Sequence, residues 1–262
     1  MATVDGRDAT AAELGALALT GFGHFTSMHV EDGAVRGLDL HLDRLTRDCK
    51  TVFDADLDRV QVLSQIRQTV AAASCDHTLR VTVFDPRITL GNVGAVDAHP
   101  VSLFTTRASA PGGLSPLRAK TVEFQRDTPE VKHVGLFSQL HHRVAAKRAE
   151  FDDVLFVDPA SGRISEGSTW NIGFVAEDGQ VIWPEAAVLP GVTMALLTAA
   201  DTSHVTRPVP SAEVSQMRAA FATNASIGVR PIRTIDKYEF DVDDPVVVFL
   251  QEMYREIPAQ RP

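Results

Sequence analysis

Residues 108 to 116 read Ala108-Ser109-Ala110-Pro111-Gly112-Gly113-Leu114-Ser115-Pro116. Two prolines and two glycines this close together stop helix and strand alike. The stretch divides the chain into an N-terminal part (residues 1–107), a linker (108–117) and a C-terminal part (118–262). A chain of 262 residues with 44% hydrophobic content can build one large core or two smaller ones. The break favours two.

In the N-terminal part, Phe25 to Val30 reads as a strand, Glu31-Asp32-Gly33-Ala34 as a turn and Val35 to Leu40 as the returning strand of a hairpin. Leu42, Leu45, Cys49 and Val52 recur at three- and four-residue steps, which predicts an amphipathic helix from His41 to Phe53. A second helix spans Leu57 to Ala73. Leu79, Val81 and Val83 then alternate with Arg80 and Thr82, as in a half-buried strand, and Val101 to Thr105 forms another. Beyond the linker, strands are expected at Ala119 to Phe124, Asp153 to Val157, Asn171 to Ala176 and Gln180 to Trp183. Helices are expected from Phe137 to Ala149, from Thr193 as a cap, after Ser211, and from Pro245 to Ile257. Both parts are α+β.

A net charge of −9 without a Lys/Arg block argues against nucleic acid or an anionic membrane surface as partner and favours a small molecule. The polar, acidic stretch Met1 to Thr10 has no secretory h-region, and no apolar run reaches membrane-spanning length. Cys49 and Cys75 are too few for a disulfide framework, so a cytoplasmic location is expected. Gly21-Phe22-Gly23 lacks the third glycine of a dinucleotide fingerprint, and neither a Walker sequence nor a Gly-x-Ser-x-Gly elbow occurs. The adjacent His141 and His142 face different sides of a helix, so no metal is expected.

The chain has five lysines. Lys50 and Lys147 sit beside other charges on helices, and Lys237 lies among Asp236, Glu239 and Asp241, which hold it protonated. Lys132 is flanked by Val131 and Val134 ahead of a helix, where desolvation can leave a nucleophilic amine; the bland reading is an exposed loop lysine. Glu166 ends a short strand before Gly167-Ser168, so its carboxylate can project from a sheet edge and keep a pyridine nitrogen protonated. Gly191-Val192-Thr193 offers backbone N–H groups and a hydroxyl at a helix start, suited to a phosphate, although many helices begin this way. Arg44 lies near the start of its helix and can reach inward to a phosphate or stand in solvent. Phe25, Ser27 and His29 share one face of their strand, which can border a pocket or simply line the sheet.

With Lys132, Glu166 and Thr193 in this order, the chain resembles the class IV aminotransferases, the fold-type IV pyridoxal-phosphate enzymes, from Phe25 to Ile232. That family includes branched-chain and D-amino-acid aminotransferases and aminodeoxychorismate lyase. His41-Leu42-Asp43-Arg44-Leu45 looks like its phosphate-arginine segment, and Val131-Lys132-His133 like its Schiff-base lysine. Ser165-Glu166-Gly167-Ser168-Thr169-Trp170-Asn171 is similar to its Glu-Gly-x-x-x-Asn signature, and Leu189-Pro190-Gly191-Val192-Thr193 to its Gly-Ile-Thr turn. Phe221 to Ile232 resembles the loop that closes the phosphate cup.

The resemblance implies a two-domain α+β fold of the D-amino-acid aminotransferase type with pyridoxal 5′-phosphate between the domains, and a homodimer. It implies that Lys132 holds the aldehyde and shuttles a proton, that Glu166 faces the ring nitrogen, and that Arg44, Val192, Thr193, Ala225 and Ser226 surround the phosphate. Phe25, Ser27, His29 and Trp170 are the residues expected at the substrate. Three positions depart from the family pattern. Phe137 replaces the usual tyrosine five residues after the lysine, Met194 replaces an arginine, and Ala225 replaces a threonine, leaving Ser226 or backbone N–H groups to face phosphate. Phe25-Thr26-Ser27 is closer to the lyase's Phe-Thr-Thr than to the aminotransferases' Phe-Glu-Gly. The expected activity is amino transfer between a small amino acid or amine and a 2-oxo acid. The alternatives are a carbon–carbon lyase of the aminodeoxychorismate type, in which Ser27 moves a proton at the leaving group, and a cofactor-binding homologue without turnover.

Overall fold

The computed structural model describes residues 2–95, 97–109 and 114–262. Within the linker, Ala110, Pro111, Gly112 and Gly113 lie outside the described residues. In chain order the first elements are β1 (Ala2–Val4), β2 (Arg7–Asp8), α1 (Ala11–Thr20), β3 (His24–Glu31), β4 (Ala34–Arg36), α2 (Leu38–Phe53), α3 (Arg59–Ala72), β5 (His77–Phe84) and β6 (Val101–Ala108). There follow β7 (Leu117–Glu123), α4 (Phe137–Arg148), β8 (Asp153–Val157), β9 (Ile164–Gly167), β10 (Asn171–Val175), β11 (Val181–Pro184), α5 (Val192–Ala200), β12 (Val205–Arg207), β13 (Ala219–Asn224), β14 (Gly228–Ile235), β15 (Tyr238–Glu239), α6 (Pro245–Glu256) and β16 (Ala259–Gln260).

Packing divides the chain into two units, Met1–Pro111 with Val131–Gly135 and Ala259–Pro262, and Gly112–Glu130 with Leu136–Pro258. A single cut at the linker therefore does not describe the packing. The segment around Lys132 groups with the N-terminal unit because Phe25 N–H donates to the Lys132 carbonyl (2.9 Å) and Val134 N–H donates to Gly23 (2.9 Å). It adds a short antiparallel extension to β3, with His24 opposite His133.

The first unit is an antiparallel sheet in the order β16-β4-β3-β5-β6-β1-β2. Asp32 (φ 50°) and Gly33 (φ 71°) both take the left-handed conformation that a tight β3–β4 turn requires. The returning strand is shorter than the sequence suggests. Gly37, at φ 70°, ends it, and α2 begins at Leu38 rather than after Leu40. On the helix side of the sheet, Met28, Val30, Leu79, Val81, Val83 and Phe104 meet Leu42, Leu45 and Cys49 of α2 and Val62 and Ile66 of α3. Burying each such side chain contributes roughly 1.5–3 kcal/mol.

The second unit's sheet runs β12-β11-β10-β13-β14-β7-β8-β9, with an additional β9–β10 pairing. That pairing, Asn171 opposite Glu166, closes six strands into a barrel. Its lining includes Leu155, Ile164, Trp170, Ile172, Ala220, Ala222 and Ile232. Outside it, Val175, Trp183 and Phe221 pack on Leu197 of α5 and Val247 and Leu250 of α6. Gly173 is required here, since a Cβ would come within 2.3 Å of the Phe221 ring. Among the described residues, no helix is long and apolar enough to cross a membrane.

Candidate active site

In the first unit, α2 buries three polar residues on one stripe, His41 and Asp48 fully and Arg44 with 5% exposure. Thr26, on the helix-facing side of β3, bonds His41 Nδ1 at 2.7 Å and accepts from Arg44 Nη1 at 3.5 Å. Burial, then the charges of Arg44 and Lys132, hold His41 well below the usual histidine range. Burial also lowers Arg44 to about 10, against the opposing attraction of Asp48. At that value the guanidinium remains charged near neutrality, so a cation is held inside the fold.

The opposite face of the sheet carries a different set. Lys132 pairs beside Phe25, and its Nζ lies 4.9 Å from the centre of the Phe25 ring. Ser27 sits opposite Arg80, which sits opposite Thr105, and His29 sits opposite Thr78, so these side chains share the Phe25 face. The Arg80 guanidinium stacks on Phe25 at 3.6 Å and bonds Thr82 at 3.2 Å, and has no carboxylate partner among the described residues. Burial lowers its pKa. A half-buried arginine of this kind can receive a carboxylate or phosphate. His29 Nδ1 is bonded to the Ser109 hydroxyl at 3.3 Å. Alternation along Leu79-Arg80-Val81-Thr82-Val83 marks Arg80 only as a polar strand residue; its use emerges from the cross-strand register.

In the second unit, Glu166 is buried (6% exposed) and accepts from Arg126 Nε at 2.9 Å and from the Leu189 N–H at 3.2 Å. Arg126 also donates to the Pro129 carbonyl. Because β9 is paired on both sides, Glu166 is not at a sheet edge, as its turn-like sequence suggests. These contacts fix the orientation of the Glu166 carboxylate.

Gly191 occupies the cap position of α5, so Thr193 lies inside the first turn rather than capping it. Its hydroxyl is fully buried with no hydrogen-bond partner among the described residues, and Val192 beside it is 4% exposed. A Cβ on Gly191 would fall 2.0 Å from Asn171 Oδ1. Asn171 Nδ2 holds the Leu189 carbonyl at 2.9 Å. These contacts draw the Leu189–Gly191 backbone close against β10. An orphaned hydroxyl beside unsatisfied helix N–H groups fits an anionic ester.

Five residues singled out in the sequence have the following surroundings. Trp170 lies in the barrel core at 5% exposure, its indole packed so closely on Gly167 that a Cβ there would fall 1.9 Å away. Ser226 is exposed, and its N–H and that of Ile227 already donate to Asn224 Oδ1 (2.9 and 3.0 Å). The loop thus spends those donors internally, and Ala225, half-buried, stands between them and β13. Phe137 is 80% exposed and stacked on His141, and Met194 packs in the apolar layer under α5 and α6 instead of reaching an anion. Arg126, Asp48 and Arg80 went unmarked by any sequence motif.

A structure from Thermoproteus uzoniensis, a branched-chain aminotransferase with norvaline, superposes with TM-score 0.83 at 20% identity over 97% of this chain and 93% of that one. The PLP-bound form of a hypothetical aminotransferase from Mycobacterium tuberculosis gives 0.82 at 16% over 97% of both. A Legionella pneumophila protein provisionally assigned as a 4-amino-4-deoxychorismate lyase gives 0.81 at 18% over 92% and 93%. These likenesses establish the fold-type IV α+β architecture. No curated protein sequence matches the chain. The family model for amino-transferase class IV matches residues 23–235. The chain belongs to the class IV aminotransferases.

Proposed function

We propose that the protein is a pyridoxal-phosphate-dependent aminotransferase that moves an amino group between a small amino acid or amine and a 2-oxo acid, working as a homodimer. The observation that carries this reading is the Phe25 face of the first unit. There a lysine amine lies 4.9 Å from the aromatic ring on which the guanidinium of Arg80 stacks. An amine for chemistry and a cation for a carboxylate on one face suit an α-amino acid. In this reading Arg44, Val192 and Thr193 hold the cofactor's phosphate, Ala225 and the Ser226 hydroxyl border it while the Ser226 N–H stays with Asn224, and Glu166, fixed by Arg126, accepts from its ring nitrogen. The cofactor supplies an electron sink for charge developing on the substrate carbon. Lys132 takes the proton from that carbon and returns it. Arg80 orients the substrate carboxylate, and Ser27 and His29 border the side chain.

Ser27, opposite Arg80 in register, also supports the lyase reading, in which its hydroxyl moves a proton at the leaving group while pyruvate departs. Products separate the two. An aminotransferase yields a 2-oxo acid from the donor and requires a second 2-oxo acid to continue, whereas a lyase releases pyruvate with no acceptor. Borohydride reduction of the protein with pyridoxal phosphate, followed by peptide mapping, is expected to place the adduct on Lys132. An adduct on Lys50, Lys120, Lys147 or Lys237 instead would overturn the assignment.

A further inference from the structure

Asp48 is the third member of the α2 stripe, and its carboxylate has no solvent exposure. A carboxylate in that position is costly unless its oxygens are filled. Oδ1 accepts from Arg47 Nε (3.0 Å) and Nη2 (2.6 Å), while Oδ2 accepts from the backbone N–H of Lys132 (3.0 Å). Arg47 is 45% exposed and could meet a carboxylate at the surface without drawing it inward. The inward contact is the Lys132 peptide. That residue's carbonyl is in turn fixed by Phe25 N–H at 2.9 Å, so its main chain is held from α2 on one side and from β3 on the other. Asp48 lies one helical turn beyond Arg44 and three residues past Leu45, on a helix whose apolar side is locked into the core.

We propose that Asp48 is a positioning residue for Lys132, tying the main chain of the reactive lysine to the helix that carries Arg44. The spacing between an amine and a cation that grip two ends of one rigid ligand is thereby set by a single helix. The idea rests on the reading of Lys132 as the amine that bonds the cofactor. A neutral side chain at 48 leaves the Lys132 N–H without this acceptor, whereas loss of Arg47 leaves the contact in place.

The test compares Asp48→Ala, Asp48→Glu and Arg47→Ala with the parent protein. Amide hydrogen exchange at Lys132 in protein without cofactor, the rate of borohydride-trapped adduct formation at Lys132 with pyridoxal phosphate, and the melting temperature are measured for each. Asp48→Ala is expected to speed Lys132 exchange and slow trapping each by about tenfold, the scale of one lost hydrogen bond. Arg47→Ala is expected to lower melting temperature while leaving both within about twofold of the parent. Equal exchange and trapping in Asp48→Ala and Arg47→Ala would overturn the proposal. If Asp48→Ala does not fold, Asp48→Glu decides by the same comparison, since it keeps the charge for Arg47 but shifts the oxygen by one methylene. Failure of the function reading is distinct: the adduct would then appear on another lysine, while exchange at the Lys132 amide still reports on Asp48.

Discussion

On α2, His41, Arg44 and Asp48 come from one turn-by-turn stripe of a single helix, whereas Glu166, Arg126 and the Leu189 N–H of the second unit come from a strand and two separate loops. The electrostatics differ as well. The first unit gathers Arg44, Arg47, Arg80 and Lys132 and keeps His41 and His24 neutral among them. The second unit compensates the buried Glu166 carboxylate with a guanidinium at 2.9 Å and an amide. The first unit thus surrounds neutral histidines with cations, whereas the second sets one buried carboxylate against one buried guanidinium.

The largest expected effect concerns the compensated pair. Arg126→Met leaves Glu166 buried without its guanidinium and is expected to destabilise the protein by about 3–5 kcal/mol in urea unfolding. Replacing both residues by methionine should recover most of that loss. If the double variant is no more stable than the single one, the second unit does not depend on mutual compensation, and the contrast with α2 fails.

Acid separates the units next. Burial, with Arg47 nearby, lowers His24 to about 3, and His41 is held well below its usual range. Below the unfolded histidine value near 6.5 the unfolded chain takes up protons that the folded chain refuses. The stability is therefore complete above that value and declines as pH falls toward 3. At pH 5 His24 costs about 2 kcal/mol, and His41 adds a loss of the same sign. Unfolding free energies at pH 7 and pH 5 should show this, with His24→Phe removing the His24 share of the loss. An unchanged acid dependence in that variant would remove His24 from the argument.

Glycine-to-alanine changes give smaller effects of opposite sign. Gly191→Ala drives a methyl into Asn171 and should cost about 1–3 kcal/mol. Gly15→Ala, in the middle of α1 with nothing within 4 Å of the new carbon, should stabilise by about 0.8–1 kcal/mol. Thermal melts of the two single variants would separate them, and a matching sign would show that backbone crowding at α5 is not what selects Gly191.

What could be read from sequence follows this contrast. The helical period from Leu42 to Val52 places α2, and the alternation from Leu79 to Val83 places β5, because both signals are local. The Asp153–Val157 strand is found with its ends in place for the same reason. α1 opens on a Thr10/Glu13 capping box, a signal equally local to the sequence. Barrel closure has no local signal: β9 and β10 are neighbours in sequence, but the ring also needs β10 to pair with β13 and β7 with β14, which lie far apart in the chain. Trp170 illustrates the limit, since nothing in the Glu-Gly-x-x-x-Asn segment signals that its indole packs among the barrel's core side chains. Arg80 illustrates the reverse: an unremarkable polar strand residue whose neighbours, Phe25, Ser27 and Thr105, are supplied by register alone.

The seam between β9 and β10 rests on one residue pair, and that pair includes the carboxylate proposed to face the ring nitrogen. Side chains alternate sides along a strand, so a shift by one position would exchange Glu166 for Ser165 or Gly167 and turn the acid to the other side of the wall. The Pro159–Gly162 turn ahead of β9 thus acts as a spacer whose length is constrained by chemistry as well as by folding: gaining or losing one residue there would retune the site without altering any residue in it.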